Sequence, residues 1–156
     1  MVIDADALNL LSAHSELWRS IPKNSILTPH MKEFDRLFGE HNSWWQRMQT
    51  GIRKAKEHQL YILLKNDYTL IITPGGKIYF NTTSNPAMAT GGMGDVLTGI
   101  LASLLAQNYS PEEACIIGAY VHGKAGDELA LPNQLNVVLP TQLARHLPVT
   151  IAKLMA

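Results

Sequence analysis

Asn85-Pro86-Ala87-Met88-Ala89-Thr90-Gly91-Gly92-Met93-Gly94-Asp95-Val96-Leu97-Thr98-Gly99-Ile100 is the stretch on which the reading of this 156-residue chain turns. Val96, Leu97, Ile100, Leu101, Leu104 and Leu105 recur at helical spacing and predict a largely buried helix from Gly92 to about Gln107. Gly91, Gly92 and Gly94 stand at its entrance. Glycines there let the backbone curl tightly, so the amides of Gly92, Met93 and Gly94 can point at one locus where the helix dipole also favours negative charge. That is an anion hole. Asp95, in the first turn, is placed to take a proton from a hydroxyl whose reaction partner sits in the hole. A bare glycine turn followed by a helix-capping acid would look the same, so the surrounding sequence has to arbitrate.

Working outward, the flanks read as an α/β fold. Met1-Val2-Ile3 is a short apolar strand running into the polar turn Asp4-Ala5-Asp6 and a helix. Ser25 to Pro29 predicts a second strand, followed by a short amphipathic helix on Lys32, Glu33, Phe34, Leu37 and Phe38 that stops near Gly39. Ser43 caps a longer helix with Trp45, Met48, Ile52 and Ala55 on its apolar side. Leu60 to Leu64 is a continuous apolar run, as in a parallel strand covered on both faces. Thr69-Ile72 and Lys77-Phe80 around Thr73-Pro74-Gly75-Gly76 predict a hairpin. A helix from Pro111 to about Ala130 should stop before Pro132, and Thr141 should cap a last helix that Pro148 kinks or splits.

Composition narrows the function. The chain is 46% hydrophobic and 17% charged, enough for one cored domain. Its formal net charge is zero, which leaves no basic surplus for a nucleic-acid backbone or an anionic membrane surface. Its longest apolar stretch, Val96 to Ala106, is broken by polar and glycine residues and is too short to span a bilayer. The single Cys115, among Ala114, Ile116 and Ile117, reads as a core residue and suits a reducing, cytoplasmic setting.

Thr90-Gly91-Gly92-Met93-Gly94-Asp95 resembles the G-x-G-D signature of ribokinase-like kinases. With Asn85 to Ile100 around it, the segment is similar to the ADP/ATP-dependent NAD(P)H-hydrate dehydratases, the C-terminal domain of bifunctional nicotinamide-nucleotide repair proteins. Val2 to Asn9, Leu27-Thr28-Pro29-His30 with Glu33-Phe34, Leu63-Leu64-Lys65 with Thr69, and His122-Gly123 with Ala125-Gly126-Asp127 resemble further blocks of that family in the same order. The resemblance implies a ribokinase-like fold: a mostly parallel sheet flanked by helices, with a β-hairpin.

It also implies a reaction in which ADP or ATP phosphorylates the hydroxyl of hydrated NADH or NADPH, after which the phosphate is expelled. By the same resemblance Asp95 is the base, Gly92, Met93 and Gly94 surround the transferred phosphoryl group, and His30 and Asn85 contact substrate. Lys65, Asn66, Asp67, Tyr68 and Thr69, with Gly94, line the nucleotide pocket. Mg²⁺ would accompany the phosphates, with no dedicated ligand cluster. The chain departs from the family at Met31-Lys32, where Pro-Gly is common, and at Asn66, where glycine is usual.

The family's domain is nearly twice as long as this chain. Residues 1–156 are therefore expected to be one truncated domain lacking the N-terminal part of the fold, with its bared sheet edge covered in a homo-oligomer. A small-molecule kinase of the same fold, acting on a sugar or a hydroxymethylpyrimidine-type alcohol, and a catalytically incompetent half-domain are the alternatives. Other conspicuous residues have plainer readings. Trp44-Trp45 is helix packing plus one exposed ring, His14, His41, His58 and His146 are surface or capping residues, and Asp127 serves its helix. His122 reads as structural first and as a ligand contact second. Asp4 and Asp6 flank a strand end, the place where open parallel sheets bind ligands, although Asp6 could equally cap a helix.

Overall fold

A computed structural model describes residues 1–156. The strands β1 (Val2–Ile3), β2 (Ile26–Leu27), β3 (Tyr61–Leu64), β4 (Thr69–Ile72) and β5 (Ile78–Asn81) form one sheet in sequence order. β1, β2 and β3 are parallel, and β3, β4 and β5 are antiparallel neighbours. The crossovers between the parallel strands are α1 (Asp6–Ala13), then α2 (Met31–Phe38) and α3 (Trp44–His58). On the other face lie α4 (Met93–Ala106) and α5 (Pro111–Asn133), with α6 (Pro140–Met155) packed on α5.

Alternation along the strands sorts the core. Ile26, Tyr61, Leu63 and Ile71 point to Leu97, Leu101, Ala114, Cys115 and Ala119 of α4 and α5. Ile62, Leu64, Leu70 and Ile72 point the other way, to Phe34 and Ala55 of α2 and α3. β3 is buried at every position, as its unbroken apolar run requires. Ile3 and Leu27 carry a third cluster with Leu8 and Leu11 of α1. No helix is long and apolar enough to cross a membrane.

Several local expectations need correction. α5 does not stop before Pro132 but runs through it to Asn133, ending with Gln134 at φ 51. A proline this near the end removes one donor while its neighbours still close the last turn. α6 begins at Pro140, whose fixed φ suits a first helical position, so Thr141 is inside the helix rather than its cap. Pro148 leaves α6 unbroken: Glu128 of α5 accepts from the Thr150 hydroxyl at 2.9 Å and lies 3.0 Å from His146 and 3.3 Å from Lys153. In α3 it is Trp44 that packs on the core, whereas Trp45 is 63% exposed. His41 is no surface residue, for its side chain is 7% exposed and held between Asp35 and the Thr50 hydroxyl.

Candidate functional site

The segments that follow the carboxyl ends of β2 and β3, the loop before β4, the segment Asn81–Thr90, the start of α4 and the middle of α5 enclose a cavity of about 870 Å³. Open parallel sheets characteristically take ligands beyond their carboxyl ends. His30, the run Lys65 to Thr69, Asn85, Met93 and Gly94 all line this cavity, so the structure brings together most of the residues singled out from the sequence. Two stand apart. Gly92 turns toward Pro140, and Asp95 is exposed on the first turn of α4 rather than on the cavity wall.

The entrance of α4 is built as the glycines suggested, with the work divided between them. Gly92 caps the helix at φ 90, a conformation that side-chain-bearing residues resist. Gly94 is helical and is small for a different reason: a Cβ there would lie 3.2 Å from Asp4 Oδ2 and 3.3 Å from Lys65 Nζ. The Met93 amide donates to the Thr90 carbonyl and the Val96 amide to that of Gly92, but the amides of Gly94 and Asp95 have no partner within the chain. Unpaired amides at a helix start, beside an ammonium group, make a seat for an anion.

Lys65, directly after β3, donates from Nζ to Asp4 Oδ1 at 2.9 Å, and Asp4 directly follows β1. The Thr98 hydroxyl of α4 donates to Asp4 Oδ2 at 3.0 Å. Burial opposes ionisation of Asp4, yet its bonds to Lys65, Thr28 and Thr98 prevail and hold its carboxyl below the ordinary range. Sequence reasoning placed Asp4 only at a strand end and did not pair it with Lys65 or Thr98, and three distant positions cannot be joined without the sheet order.

α5 props the loop that forms the other wall. Asn81 Nδ2 donates to the Ala119 carbonyl at 3.1 Å and the Thr83 hydroxyl to that of Tyr120 at 3.0 Å. A Cβ on Gly123 would sit 2.1 Å from the Thr83 carbonyl oxygen, and one on Gly126 would sit 2.0 Å from Met88 Sδ. Both glycines are thus contact positions for this loop. His122 hydrogen-bonds the Met93 carbonyl at 3.1 Å through Nε2, and burial pushes its pKa down to about 4. Because a carbonyl only accepts, the ring is neutral with its proton on Nε2. Asn85 Oδ1 accepts from the Ala87 amide at 2.9 Å, and its side chain approaches Asp127, countering the upward push that burial gives that carboxyl. Asp127 therefore reaches beyond its own helix, and Asn85 shapes the loop as well as lining the cavity.

His30 caps α2. Its Nδ1 accepts from the amides of Lys32 and Glu33, while Glu33 Oε2 accepts from the His30 amide at 2.8 Å. That reciprocal box assigns the imidazole proton to Nε2, and it explains why histidine and glutamate stand three apart after the second strand.

The family model described as NAD(P)H-hydrate dehydratase matches residues 1–149. The chain belongs to the NAD(P)H-hydrate dehydratase family. It is 41% identical over 155 residues to a bifunctional NAD(P)H-hydrate repair enzyme of Moorella thermoacetica, covering 98% of this chain and 29% of that protein. Among solved structures, it matches an ADP/ATP-dependent NAD(P)H-hydrate dehydratase from Bacillus subtilis, co-crystallised with ATP and Mg²⁺, with TM-score 0.82 and 32% identity, over 97% of this chain and 55% of that one. A ribokinase-like superfamily protein from Enterococcus faecalis matches with TM-score 0.81 and 36% identity, over 97% and 52%. The chain thus spans about half the length of these solved relatives, and less than a third of the bifunctional one. The ribokinase-like fold expected from the sequence is the fold observed.

For an NAD(P)H-hydrate dehydratase domain the donor set near the cavity is revealing. No group of three or more His, Cys, Asp and Glu side chains could hold a metal ion. Asp4 is already committed to Lys65 and the Thr98 hydroxyl. These residues do not fit a protein-built magnesium cage, which takes carboxylates free to face the ion.

Proposed function

We propose that residues 1–156 form the phosphoryl-transfer portion of a single ribokinase-like domain that performs ADP- or ATP-dependent dehydration of hydrated NADH or NADPH. The observation that carries the proposal is that Lys65 meets Gly94 on the cavity wall, at a helix start where the amides of Gly94 and Asp95 have no partner, in a chain of this family. The terminal phosphate of the nucleotide would sit at that seat, with Lys65 to Thr69 along the rest of the nucleotide. Asp95, on the exposed side of the same helix turn, would receive the hydroxyl proton of the hydrate as its oxygen attacks the terminal phosphorus. The bridging P–O bond breaks and AMP or ADP leaves. The new phosphate ester then departs with the electrons of its C–O bond, and loss of a ring proton restores the double bond.

His30, half-exposed on the cavity wall with its Nε2 3.3 Å from Glu33 Oε1, would contact the hydrate. Asn85 would hold the loop against which the substrate lies. Magnesium would come with the phosphates of the nucleotide rather than in a site of the chain's own. A cytoplasmic setting follows from the nucleotide substrates and agrees with the buried free thiol of Cys115. The outer edge of β1 has no partner strand in the sheet, which supports self-association. The alternative of a sugar or hydroxymethylpyrimidine-type kinase yields to this reading because it is the dehydratase model that matches.

Calorimetric titration with ADP and ATP tests the seat. Incubation with NADH-hydrate and ADP, following the return of reduced-nicotinamide absorbance and the release of phosphate, tests the reaction. A chain that binds neither nucleotide would overturn the assignment.

A further inference from the structure

The Asp4 carboxylate is used by no step of the mechanism above, yet it is among the most tightly bonded side chains in the fold. It is 9% exposed and takes the Lys65 ammonium on one oxygen and the Thr98 hydroxyl on the other. These partners come from three elements: Asp4 from the end of β1, Lys65 from the end of β3, and Thr98 from the second turn of α4. The backbone around it is under strain. Ala5, a non-glycine residue, sits at φ 49 and ψ −118, and such conformations persist only where the surroundings impose them.

The location is also electrostatically unfavourable for a lone lysine. Lys65 Nζ would be 3.3 Å from a Cβ on Gly94, and so lies against the positive end of the α4 dipole. A free lysine there, with four rotatable bonds and its charge repelled by the helix start, would swing toward solvent. Asp4 counters both tendencies, since its Oδ1 holds the ammonium while Oδ2 is tied through Thr98 to the helix itself.

Resting on the nucleotide reading above, we infer that Asp4 is a positioning residue: it clamps the Lys65 ammonium against the start of α4 at Gly94, so that lysine and helix start act as one phosphate seat. Asp4 touches no phosphate. Its carboxylate would repel one, and that repulsion is masked only while Lys65 neutralises it. The effect of losing Asp4 must therefore depend on whether Lys65 is present, and only for ligands that carry phosphate.

The intact 156-residue chain serves for both arms of the test. In the first, ¹H–¹⁵N spectra of the ligand-free chain report the Lys65 ammonium directly. A clamped group gives a distinct, slowly exchanging signal that Asp4→Asn abolishes while the chain stays folded. A signal indifferent to Asp4→Asn overturns the clamp whatever nucleotide binding shows.

In the second arm, ADP and adenosine are titrated into wild type, Asp4→Asn, Lys65→Gln and the double variant. Asp4→Asn should change ADP affinity by factors that differ about tenfold or more between the wild-type and Lys65→Gln backgrounds, as expected for directly coupled residues. In the Lys65→Gln background it should improve binding, because an unmasked carboxylate is removed. Adenosine should show no such difference. Equal factors in both backgrounds, or the same coupling with adenosine, would mean that Asp4 only stabilises the fold. A wild-type chain that takes up neither ADP nor ATP overturns the nucleotide reading instead, and the ammonium signal then decides the clamp alone.

Discussion

Acidification should destabilise this protein through His122. Burial, helped by the nearby Lys65 charge, outweighs the bond to the Met93 carbonyl and keeps this imidazole neutral, with a pKa of about 4 in place of the ordinary 6.5. Below pH 6.5 the unfolded chain gains a proton at this residue that the folded chain refuses, so stability rises with pH across the interval and falls as pH drops from about 6.5 to 4. At 1.36 kcal/mol per pH unit that displacement corresponds to about 3 kcal/mol, a large share of a domain's total stability. His58 shifts in the same direction, chiefly by burial, and contributes to the same slope. The comparison must therefore be with His122→Gln, whose amide can still donate toward the Met93 carbonyl but does not titrate. Urea unfolding at several pH values between 4 and 8 should show the wild type losing stability steeply and the variant losing distinctly less. Parallel profiles would refute both the protonation state and the role of His122 in bracing the start of α4.

Three more outcomes follow from the site. Gly94→Val would push methyl groups into the space shared by Asp4 Oδ2 and Lys65 Nζ, and calorimetry should show ADP affinity reduced about tenfold or more with the loss of charge-assisted bonds. Asp95→Asn, in a protein that includes the rest of the domain, should lower turnover ~10²-fold or more, with the melting temperature and nucleotide affinity hardly changed because the side chain is exposed. Gly123→Ala should cost about 1–3 kcal/mol by driving a methyl group into the Thr83 carbonyl, seen as a lower urea midpoint. An unchanged midpoint would show that the loop it supports is free to move away.

What could be read without the fold was whatever depends on near neighbours in the chain. The run Leu60 to Leu64 announced a strand buried on both sides, the paired glycines after Pro74 a hairpin, and Gly91 to Asp95 a helix entrance suited to an anion. Each rests on periodicity or on backbone freedom, which are local properties. The same local rules misplaced the ends of α5 and α6, because prolines are tolerated where packing against a neighbouring helix compensates for one missing bond.

The tertiary structure alone decided how the anion seat is completed. Asp4, Lys65 and Thr98 are 61 and 94 positions apart from Asp4 onward, and only the parallel order of β1, β2 and β3 beneath α4 brings them into contact. It likewise turned His122 from an ambiguous histidine into a neutral donor to the Met93 carbonyl, and Gly123 and Gly126 into contact points for the Asn81–Thr90 loop. Hydrogen bonds and desolvation act over a few ångströms of space and are indifferent to distance along the chain. The sequence therefore determined which groups were available, and the packing of the sheet against α4 and α5 determined which of them meet.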